Sequence, residues 1–391
     1  MKVPHEVRAD IPLTEKVAYF DNAATCLTPL PVVEAVRKYY VEYRGTVHRG
    51  VHTLSMKASL AYEQAREKVA AFINASPEEI IFVKNTTEAL NYVAMGVNFT
   101  KNDKVVTTEF EHHSNFLPFL RLQNKGVSLE VMEACEEGLL DDQFKKIEGA
   151  SLVTCSYISN AVGTILPVKK IGRLSRDTGA LFCVDAAQAV GHMPVDVHEL
   201  DCDFLAFSGH KGCMGPTGIG VLYMKEDVFD RTEPLFLGGG MIRDVSSTGY
   251  EIADPPERYE AGTPNIAGAI GLGAAVEYID GIGLSEIYNQ EKKLTKLTLD
   301  ELSAIEGVVW YGTQKDHAAV ISFNVQGLHC HDTASVLDTH NIMVRSGHHC
   351  ALPLMKKLKV NGTVRASYHC YNTCEEVEHM ISILKEASTL V

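Results

Sequence analysis

The sequence has few features of a membrane-bound or nucleic-acid-binding protein. No window of its 391 residues approaches the run of about 20 apolar residues that a bilayer span requires. Basic residues are scarce, with 36 Lys and Arg against 50 Asp and Glu, and the resulting net charge of −14 repels a phosphate backbone. Hydrophobic residues make up 46% and charged residues 22%, which excludes a disordered or fibrous chain. We therefore expect neither a membrane nor a nucleic-acid partner.

A secretion signal and a disulfide framework are also lacking. The first 16 residues carry charges throughout, unlike the apolar core of a signal peptide. The ten cysteines are scattered along the chain, whereas small secreted scaffolds concentrate them. We therefore predict a reducing compartment, the cytoplasm, where each thiol is a packing residue, a ligand or a nucleophile according to its position.

Short β-rich runs alternate with helical patterns through the first two thirds of the chain, which is typical of a mostly parallel α/β sheet. The runs predicted as strands are 80–83, 104–108, 127–132, 152–156, 180–184, 204–208 and 220–224. Helical periodicity predicts covering helices over 57–74 and 169–178, the second of which stops at Gly179.

The pattern changes after about residue 262. Small residues over 265–278 and a polar helix over 285–304 lead to predicted strands at 308–311, 319–324 and 364–367 and to a final helix after Thr373. We therefore predict a large domain, residues 17–279, and a smaller α+β domain formed by residues 1–16 and 280–391.

An acid and a lysine follow two of the predicted strands. Asp185 comes directly after 180–184, and Lys211 comes three residues after 204–208. Both are expected at the carboxyl edge of the sheet, where α/β folds bind ligands. Pyridoxal phosphate needs such a pair, because its aldehyde forms a Schiff base with a lysine and its ring nitrogen stays protonated beside a carboxylate. Taken alone, Asp185 is more often a capping acid and Lys211 a surface lysine.

Other polar residues at strand ends can complete this site. Thr87 opens a helix after strand 80–83, where its hydroxyl and the free amides can hold a phosphate, although plain capping is equally frequent. Ser208 and His210 lie beside Lys211 and can donate to the same phosphate. His112 follows strand 104–108, where an imidazole can lie on a cofactor ring and exchange protons; a surface histidine is the simpler interpretation for it alone.

The order of motifs along the chain carries a resemblance. The motifs are 19–24, 47–52, 111–113, 159–160, 185–188, 207–211, 215–218, 260–265, 345–351 and 364–367. Each is weak alone, but in this order the chain resembles the pyridoxal-phosphate-dependent cysteine desulfurases of the aminotransferase class V group. The closest likeness is to the SufS-type (group II) branch, which includes selenocysteine lyases. The resemblance implies the type I fold of pyridoxal phosphate enzymes, with a mostly parallel seven-stranded sheet between helices and a smaller α+β domain.

The resemblance also implies roles for residues at matching positions. The implied cofactor contacts are Lys211 at the aldehyde, Asp185 at the ring nitrogen, Gln188 at the ring hydroxyl and His112 on the ring face. The implied phosphate contacts are Thr87, Ser208 and His210, joined by Thr263 from the other subunit of a homodimer. Arg365 is implied to bind the substrate carboxylate through its planar fork, with Asn160 as its helper.

Cys350 matches the cysteine that accepts sulfur in this branch. Arg345, His348 and His349 stand close by in the sequence, and positive or ionisable groups favour the thiolate needed for attack. The implied reaction converts L-cysteine to L-alanine and leaves a persulfide on Cys350, which supplies iron–sulfur cluster assembly. The implied acceptor is a SufE- or SufU-like protein or an iron–sulfur scaffold complex. Without the motif, an inert thiol is the simpler interpretation.

Two departures from the family pattern leave substrate and partner preference open. One extra residue lies between Lys211 and Gly215, and the segment 238–260 is short. We interpret Cys213, inside the first departure, as a packing residue.

Three alternatives compete with this interpretation. A selenocysteine lyase and a class V aminotransferase use the same cofactor, although an aminotransferase has no use for Cys350. A non-enzymatic metal or iron–sulfur scaffold would draw ligands from the sets 329–331, 348–350, 369–370 and Cys374. Their spacings match no zinc pattern, so we expect no metal site.

Overall fold

In this computed structural model, which describes residues 4–134 and 143–389, helices and strands alternate along most of the chain. The helices are α1 (Pro4–Ala9), α2 (Leu30–Glu42), α3 (Thr53–Phe72), α4 (Thr86–Gly96), α5 (His113–Arg121), α6 (Val168–Thr178), α7 (Ile266–Ile282), α8 (Leu284–Ser303), α9 (Cys330–Thr339), α10 (Leu352–Lys357) and α11 (Cys374–Thr389). The strands are β1 (Ala18–Tyr19), β2 (Ile80–Val83), β3 (Lys104–Thr108), β4 (Ser128–Met132), β5 (Leu152–Ser156), β6 (Leu181–Asp185), β7 (Phe204–Ser208), β8 (Gly220–Met224), β9 (Ile242–Val245), β10 (Tyr250–Ile252), β11 (Val308–Tyr311), β12 (Val320–Val325), β13 (Ile342–Met343), β14 (Arg345–Gly347) and β15 (Thr363–Ser367).

Strands β2 to β8 form one seven-stranded sheet in the order β2-β8-β7-β6-β5-β3-β4. The pairs among β4, β3, β5, β6 and β7 are parallel, whereas β8 runs antiparallel to both β7 and β2. Because only β8 is reversed, β2 points the same way as the parallel strands. The loops that follow six strands therefore meet at one edge, which is where α/β sheets hold ligands.

Alternate residues of the sheet enter two separate hydrophobic cores. On one face, Phe182 and Val184 belong to a core that includes residues of α3, α6 and α7. On the other face, Leu181 and Cys183 pack with residues of α4 and α5. Strands β5 to β8 are buried at every position, as expected for strands that helices cover on both sides.

A second sheet lies in the C-terminal part of the chain. It has four antiparallel strands in the order β11-β12-β15-β14, and it shares a core with α8, α9 and α11. The short parallel pair β1–β13 and a bridge between Asp21 and Ser367 join the beginning of the chain to this sheet. Arg345 and Arg365 are paired in the register of β14 and β15, so both stand on strands that border the large sheet's crevice.

The predicted seven-stranded, mostly parallel sheet is confirmed. Its strands end within one residue of their predicted bounds, with β4 starting at Ser128 and β6 shifted to Leu181–Asp185. Helix α6 ends at Thr178 and is followed by Gly179, which has a left-handed φ of 75°, as predicted. Helix α3 starts four residues before the predicted start, because the side chain of His52 caps it by accepting the N–H of Ser55.

The predicted domain boundary after residue 279 falls inside α7, which continues to Ile282. The small domain was predicted to begin with residues 1–16, of which 1–3 lie outside the described residues. The division into two domains therefore stays a prediction.

Within the described ranges, no single helix is long and apolar enough to cross a membrane. One pair of consecutive helices, α7 and α8, meets that requirement only when the two are joined across a bend of 75°.

Candidate active site

The carboxyl edge of the large sheet opens onto a cavity of about 220 Å³. The predicted site residues that line it are Thr87, His112, Asn160, Asp185, Gln188, Ser208, His210, Lys211 and Arg365. They come from the ends of five strands of the large sheet and from β15 of the small one. The structure therefore brings together residues that are up to 278 positions apart, from Thr87 to Arg365.

Lys211 and Asp185 both line this cavity and interact electrostatically. Asp185 is only 5% exposed, and its Oδ1 accepts the backbone N–H of Ala187 at 3.0 Å. Burial raises the pKa of Asp185 and lowers the pKa of Lys211, while the attraction between the two groups opposes both shifts. A lysine whose pKa is lowered supplies the neutral amine that a Schiff base requires.

Two helix N-termini face one end of the cavity. At the start of α4, the N–H of Thr86 donates to Ser208 Oγ at 3.0 Å, and the Thr86 hydroxyl lies 2.7 Å from the same atom. The Thr87 hydroxyl lies 2.7 Å from that of Ser114, at the start of α5. Hydroxyls together with the positive ends of two helices suit a phosphate. Thr86 and Ser114 were not predicted, although each is next to or near a predicted residue in sequence.

His112 is fixed by its capping role. Its Nδ1 accepts the N–H of Ser114 at 3.1 Å, so the neutral ring carries its proton on Nε2. Burial, with a contribution from the nearby Lys211, lowers the pKa of His112 to about 3. The imidazole is therefore a neutral hydrogen-bond donor at neutral pH.

His210 is likewise held in a neutral form. Its Nδ1 lies 3.2 Å from the hydroxyl of Thr25, and burial lowers its pKa to about 4. It can therefore contribute a neutral hydrogen bond to an anion, but not a full positive charge.

Arg365 is a buried cation with a fixed orientation. It is 1% exposed, and its Nη1 and Nη2 donate to Asn160 O at 2.8 Å and to Asp21 Oδ1 at 3.1 Å. Burial lowers its pKa to about 10, which still leaves it charged at neutral pH. Its Nε finds no partner within the described part of the chain. A pre-oriented guanidinium with an unused N–H is suited to a carboxylate ligand.

Asn160 connects the cavity to the segment that carries Cys350. Its side-chain Nδ2 donates to the backbone oxygen of His349 at 2.7 Å. With Arg365 Nε, four buried atoms of cavity-lining residues have no hydrogen-bond partner among residues 4–134 and 143–389; the other three are Asn160 Oδ1, Gln188 Oε1 and His349 Nδ1. Such atoms are rare in folded proteins, and their grouping here indicates a site for a polar ligand.

The segment 348–351, named here the Cys350 loop, lies at the rim of the cavity. Cys350 O accepts the N–H of His113 at 2.7 Å, and the N–H of Leu352 donates to His113 Nε2 at 3.3 Å. His349 and Cys350 have left-handed φ values of 50° and 56°, which only tight turns impose on residues other than glycine. Cys350 is half-buried beside the cavity, and the neighbouring His349 lines it.

One electrostatic expectation for this loop is wrong. Together with Arg345 and His348, His349 was expected to supply a positive or ionisable group that favours the Cys350 thiolate. The residue is 3% exposed, and burial lowers its pKa to about 3. It is therefore neutral at neutral pH, and it contributes instead through the hydrogen bonds of its backbone oxygen to Asn160 and of its Nε2 to Thr363.

Thr263 does not reach the cavity of its own chain. It is exposed and lines a separate cavity of about 560 Å³ together with Phe236, Gly238 and Asn265. A role for Thr263 at the phosphate therefore requires a second copy of the chain, as the sequence implied.

The remaining cysteines and histidines fall into separate environments. Cys213 is completely buried in the large core, and burial raises its pKa to about 12, which agrees with a packing role. In the predicted scaffold set, His329, Cys330 and His331 have ligand atoms within 4.8 Å of one another, but no described residue of 348–350, 369–370 or 374 joins them.

Comparisons with known proteins identify what this chain resembles. The sequence model of the family described as aminotransferase class V matches residues 18–380. A probable cysteine desulfurase of Pyrococcus abyssi is 58% identical over 393 residues, which cover 99% of this chain and 98% of the relative. The apo structure of cysteine desulfurase from Thermococcus onnurineus NA1 matches with a TM-score of 0.98 and 56% identity, over 100% of this chain and 99% of that one. The cysteine desulfurase CsdA from Escherichia coli matches over 100% of both chains, with a TM-score of 0.93 and 33% identity.

Proposed function

The chain belongs to the aminotransferase class V family, and we propose on this premise that it is a pyridoxal-phosphate-dependent cysteine desulfurase. It converts L-cysteine to L-alanine and holds the sulfur as a persulfide on Cys350. The similarity to proteins named cysteine desulfurase or probable cysteine desulfurase covers nearly the whole length of this chain. The observation that carries the proposal is the position of the Cys350 loop at the rim of the cavity that Lys211 and Arg365 line.

The residues of the cavity fit pyridoxal phosphate. Lys211 offers an amine of lowered pKa, Asp185 offers a carboxylate for the ring nitrogen, and Gln188 offers an unpaired buried oxygen. The hydroxyls of Thr87 and Ser208 and the N-termini of α4 and α5 would hold the phosphate, and His112 would lie against the ring. The unpaired atoms around the cavity support a polar ligand of this kind.

When bound, pyridoxal phosphate withdraws electrons from the α-carbon of the amino acid and so weakens the bonds around it. The protein positions the substrate and moves the protons. Arg365 binds the substrate carboxylate with its free N–H groups, while Asp21 and the backbone oxygen of Asn160 hold the guanidinium in place. The Lys211 amine, whose pKa is lowered by burial, takes the α proton.

Cys350 then takes the sulfur. Its thiolate attacks the substrate sulfur, a sulfur–sulfur bond forms, and the carbon–sulfur bond breaks. The carbon takes up a proton and leaves as alanine, so cysteine and a thiol become alanine and a persulfide without an external oxidant or reductant. The hydrogen bonds from His113 to Cys350 O and from Leu352 N to His113 fix the Cys350 loop against the cavity for this step.

The finer assignments belong to the same proposal. The short Cys350 loop between β14 and α10 supports the SufS-type branch, and the product persulfide supports a role in iron–sulfur cluster assembly through a SufE- or SufU-like acceptor or a scaffold complex. Large exposed apolar side chains on α2 and α3, and the distance of Thr263 from its own cavity, support a homodimer. The nine described cysteines are all free thiols, which fits the reducing cytoplasm.

Product analysis tests the proposal. The purified holoenzyme is mixed with L-cysteine, with and without a reductant, and alanine and sulfide are measured for wild type and Cys350→Ser. We expect equal amounts of alanine and sulfide in the wild type with reductant, and loss of both in the variant. Cys374→Ser is the matched control, because this half-buried thiol lies on α11 and does not line the cavity.

Other outcomes point to the competing enzymes. Alanine that is formed equally well by Cys350→Ser, or formed only from selenocysteine, would contradict the Cys350 persulfide and indicate a selenocysteine lyase. Amino-group transfer to a keto acid without release of sulfur would indicate an aminotransferase.

A further inference from the structure

Behind the active-site cavity lie two very small cavities that share lining residues. The inner one is lined by Ala23 and Gln188, which also line the active-site cavity, and by His192 and Glu291. His192 and Glu291 also line the outer one, which ends at Tyr288 and Lys292 of α8. Lys292 is exposed to solvent. The series therefore runs from the floor of the active site to the surface of α8, and it is named here the rear passage.

The two cavities of the rear passage have the size and the unpaired polar atoms expected of sites for ordered water. Each cavity has a volume of about 10 Å³, which is room for about one water molecule. Gln188 Oε1 at the inner end and Thr295 Oγ1 in the outer cavity are buried and have no hydrogen-bond partner among the described residues. His317 Nε2 in the outer cavity is a third such atom, and its Nδ1 donates to Ala318 O at 2.7 Å, so Nε2 is an acceptor. A polar cavity of this size with unpaired donors and acceptors is where ordered water is found.

An acid and a histidine separate the two cavities. Glu291 Oε1 and His192 Nδ1 lie 2.8 Å apart, and the two residues are 4% and 8% exposed. Burial raises the pKa of Glu291 to about 8 and lowers the pKa of His192 to about 4. At neutral pH the pair is therefore uncharged, with the Glu291 carboxyl donating to His192 Nδ1.

Burial is the main influence on Glu291, and His369 opposes it by lowering the pKa of the carboxyl. The titratable and charged groups that face it from the neighbouring elements, or line its two cavities, are His192, His369, Cys26, Cys370, His317 and, from α8 itself, Tyr288 and Lys292. Burial lowers the pKa values of His369 and His317 and raises those of Cys26 and Cys370, so these four are uncharged. Two lysines are near the pair: Lys292 at the exposed end, and Lys211, which lowers the pKa of His192 from the active-site side.

A metal ion is a poorer occupant of this region. Cys26, His192 and His369 have ligand atoms within 4.8 Å of one another. Both ring nitrogens of His369 are used, however, since Nδ1 accepts the N–H of Cys370 at 2.8 Å and Nε2 donates to Gly212 O at 2.9 Å. Two ligands are left, which is too few for a closed metal site.

We propose that the rear passage conducts protons between the floor of the active site and the surface of α8, with Glu291 and His192 as its exchanging pair. Glu291 gives its proton to His192 Nδ1 while His192 Nε2 releases a proton through water toward Gln188. Glu291 is then reprotonated from the outer cavity, and a half-turn of the His192 ring restores the starting tautomer. Desulfuration releases protons from two thiols and adds one to carbon. The passage exchanges these protons with solvent while substrate and the Cys350 loop occupy the front of the cavity. Only this last use of the passage rests on the proposed function.

Infrared spectroscopy of the holoenzyme without substrate tests the passage directly. The protein is mixed rapidly into D₂O, and the protonated-carboxyl band removed by Glu291→Gln is followed with time. We expect a band that shifts far faster than core amides exchange, but slowly enough to be followed after mixing, and that disappears when the pH is raised above about 8. Glu111 does not interfere, because its carboxyl is present in both proteins and cancels in the difference.

A second variant tests the route itself. Thr295→Val keeps the shape of the outer cavity but removes the hydroxyl that would hold its water. We expect the shift of the Glu291 band to slow by about fivefold or more, the factor that corresponds to one lost hydrogen bond. Thr107→Val is the matched control, because Thr107 is an equally buried threonine with an unpaired hydroxyl outside these cavities, and it should exchange like wild type.

Three results would overturn the proposal. One is the absence of any exchangeable carboxyl band that depends on Glu291, the second is an exchange as slow as that of core amides, and the third is equal exchange in Thr295→Val and Thr107→Val. If Glu291→Gln does not fold, the Thr295→Val and Thr107→Val pair still decides, since both are near-isosteric. A loss of desulfuration with normal exchange would count against the proposed function and leave the rear passage standing.

Discussion

At the scale of single residues, Glu111 fixes the strand end that carries His112. It is 1% exposed, and its carboxylate accepts hydrogen bonds from Thr108, Asn115 and both the N–H and the hydroxyl of Ser156. The motif 111–113 drew attention to its histidines, whereas the buried acid was not assigned a role. Its partners come from β3, β5 and α5, and no local pattern in the sequence shows that they meet.

Glu111→Gln should destabilise the protein. An amide would turn an N–H₂ group toward donors that now bind a carboxylate oxygen, and leaving buried donors unpaired costs about 1–3 kcal/mol. The measurement is the free energy of unfolding of the holoenzyme in a denaturant titration. Glu133→Gln is the control, because this exposed carboxylate has a surface ion pair with Lys357, which contributes about 0–1 kcal/mol. Equal losses in the two variants would contradict the role given to Glu111.

The same variant should change how stability depends on pH. Burial raises the pKa of Glu111 from 4.5 to about 7, against the opposing effect of its hydrogen bonds. Between these two pH values the folded state binds a proton that the unfolded state has released, so this group's contribution to stability is present below 4.5 and lost as pH rises through about 7. Glu111→Gln removes that dependence. The difference between wild type and variant should therefore shrink from pH 5 to pH 8 in denaturant titrations, and an unchanged difference would argue against a raised pKa.

Some of the residue roles implied by the resemblance follow from the local sequence pattern, whereas others depend on burial or on partners far away in the sequence. Lys211 and Asp185 stand at the ends of buried strands, so their place at one sheet edge follows from the strand pattern. The charge of His349 did not follow, because it depends on how deeply the side chain is buried, and no pattern in 345–351 indicates that depth. The partners of Arg365, Asp21 and Asn160, lie 344 and 205 positions away in sequence.

At the scale of elements, α7 packs closely on α3 through small residues. A Cβ added at Gly273 would lie 2.7 Å from Ala65 Cβ and 2.8 Å from Ala65 Cα. The small-residue run over 265–278 was noted in the sequence, but its purpose follows only from this approach of two helices.

Gly273→Ala should therefore destabilise the protein, although alanine favours helices. Overpacking of a tight contact costs about 1–3 kcal/mol. Gly281→Ala in the same helix is the matched control, since nothing lies within 4 Å of its added Cβ, and replacing glycine by alanine stabilises a helix by up to about 1 kcal/mol. Thermal unfolding of both variants checks the prediction. A Gly273→Ala protein as stable as Gly281→Ala would show that the two helices can separate without loss.

The Cys350 loop depends on α5 for its position. His113 opens that helix, and its ring accepts the N–H of Leu352 while its own N–H donates to Cys350 O. His113 is not among the residues that line the cavity, so we expect it to act as a positioning residue.

Replacing the His113 side chain should slow sulfur transfer and leave cofactor binding intact. His113→Phe removes the acceptor of the Leu352 N–H, and one lost hydrogen bond corresponds to a rate about fivefold lower. The measurement is alanine formed in a single turnover at saturating L-cysteine, with the cofactor absorbance as the control. His113→Gln, which retains an acceptor, should restore part of the rate. If both variants fall equally, or if cofactor is lost, the side chain acts through stability and not through the loop.

At the scale of the whole molecule, the strands of the large sheet were predictable and their neighbours were not. Each strand is a buried apolar run bounded by polar residues, and burial on both faces follows from that pattern. The order β2-β8-β7-β6-β5-β3-β4 depends on contacts between distant segments, as does the pairing of β1 with β13. The short pair β9–β10 is mostly exposed, so its sequence carries little apolar alternation to detect.

The apolar surface of the molecule predicts association. Met56 and Leu60 are one turn apart on α3 and are 59% and 60% exposed, and Tyr40 and Val41 on α2 are 53% and 67% exposed. Burial of one large apolar side chain contributes about 1.5–3 kcal/mol, so water alone is a poor partner for such a face.

Two negative charges introduced at the exposed residues Met56 and Leu60 of α3 should therefore give a monomer. We expect Met56→Glu combined with Leu60→Glu to halve the mass measured by light scattering, whereas Val336→Glu, which changes a 37% exposed residue on α9, should keep the wild-type mass. If Thr263 of a second copy contributes to the phosphate site, the monomer should also lose pyridoxal phosphate on dilution, because Thr263 lies outside the cavity of its own chain. A monomer that binds its cofactor as tightly as wild type would show that cofactor binding does not depend on association. Thr263 would then have no part in the phosphate site, and Thr86, Thr87 and Ser208 of the same chain would be sufficient to hold it.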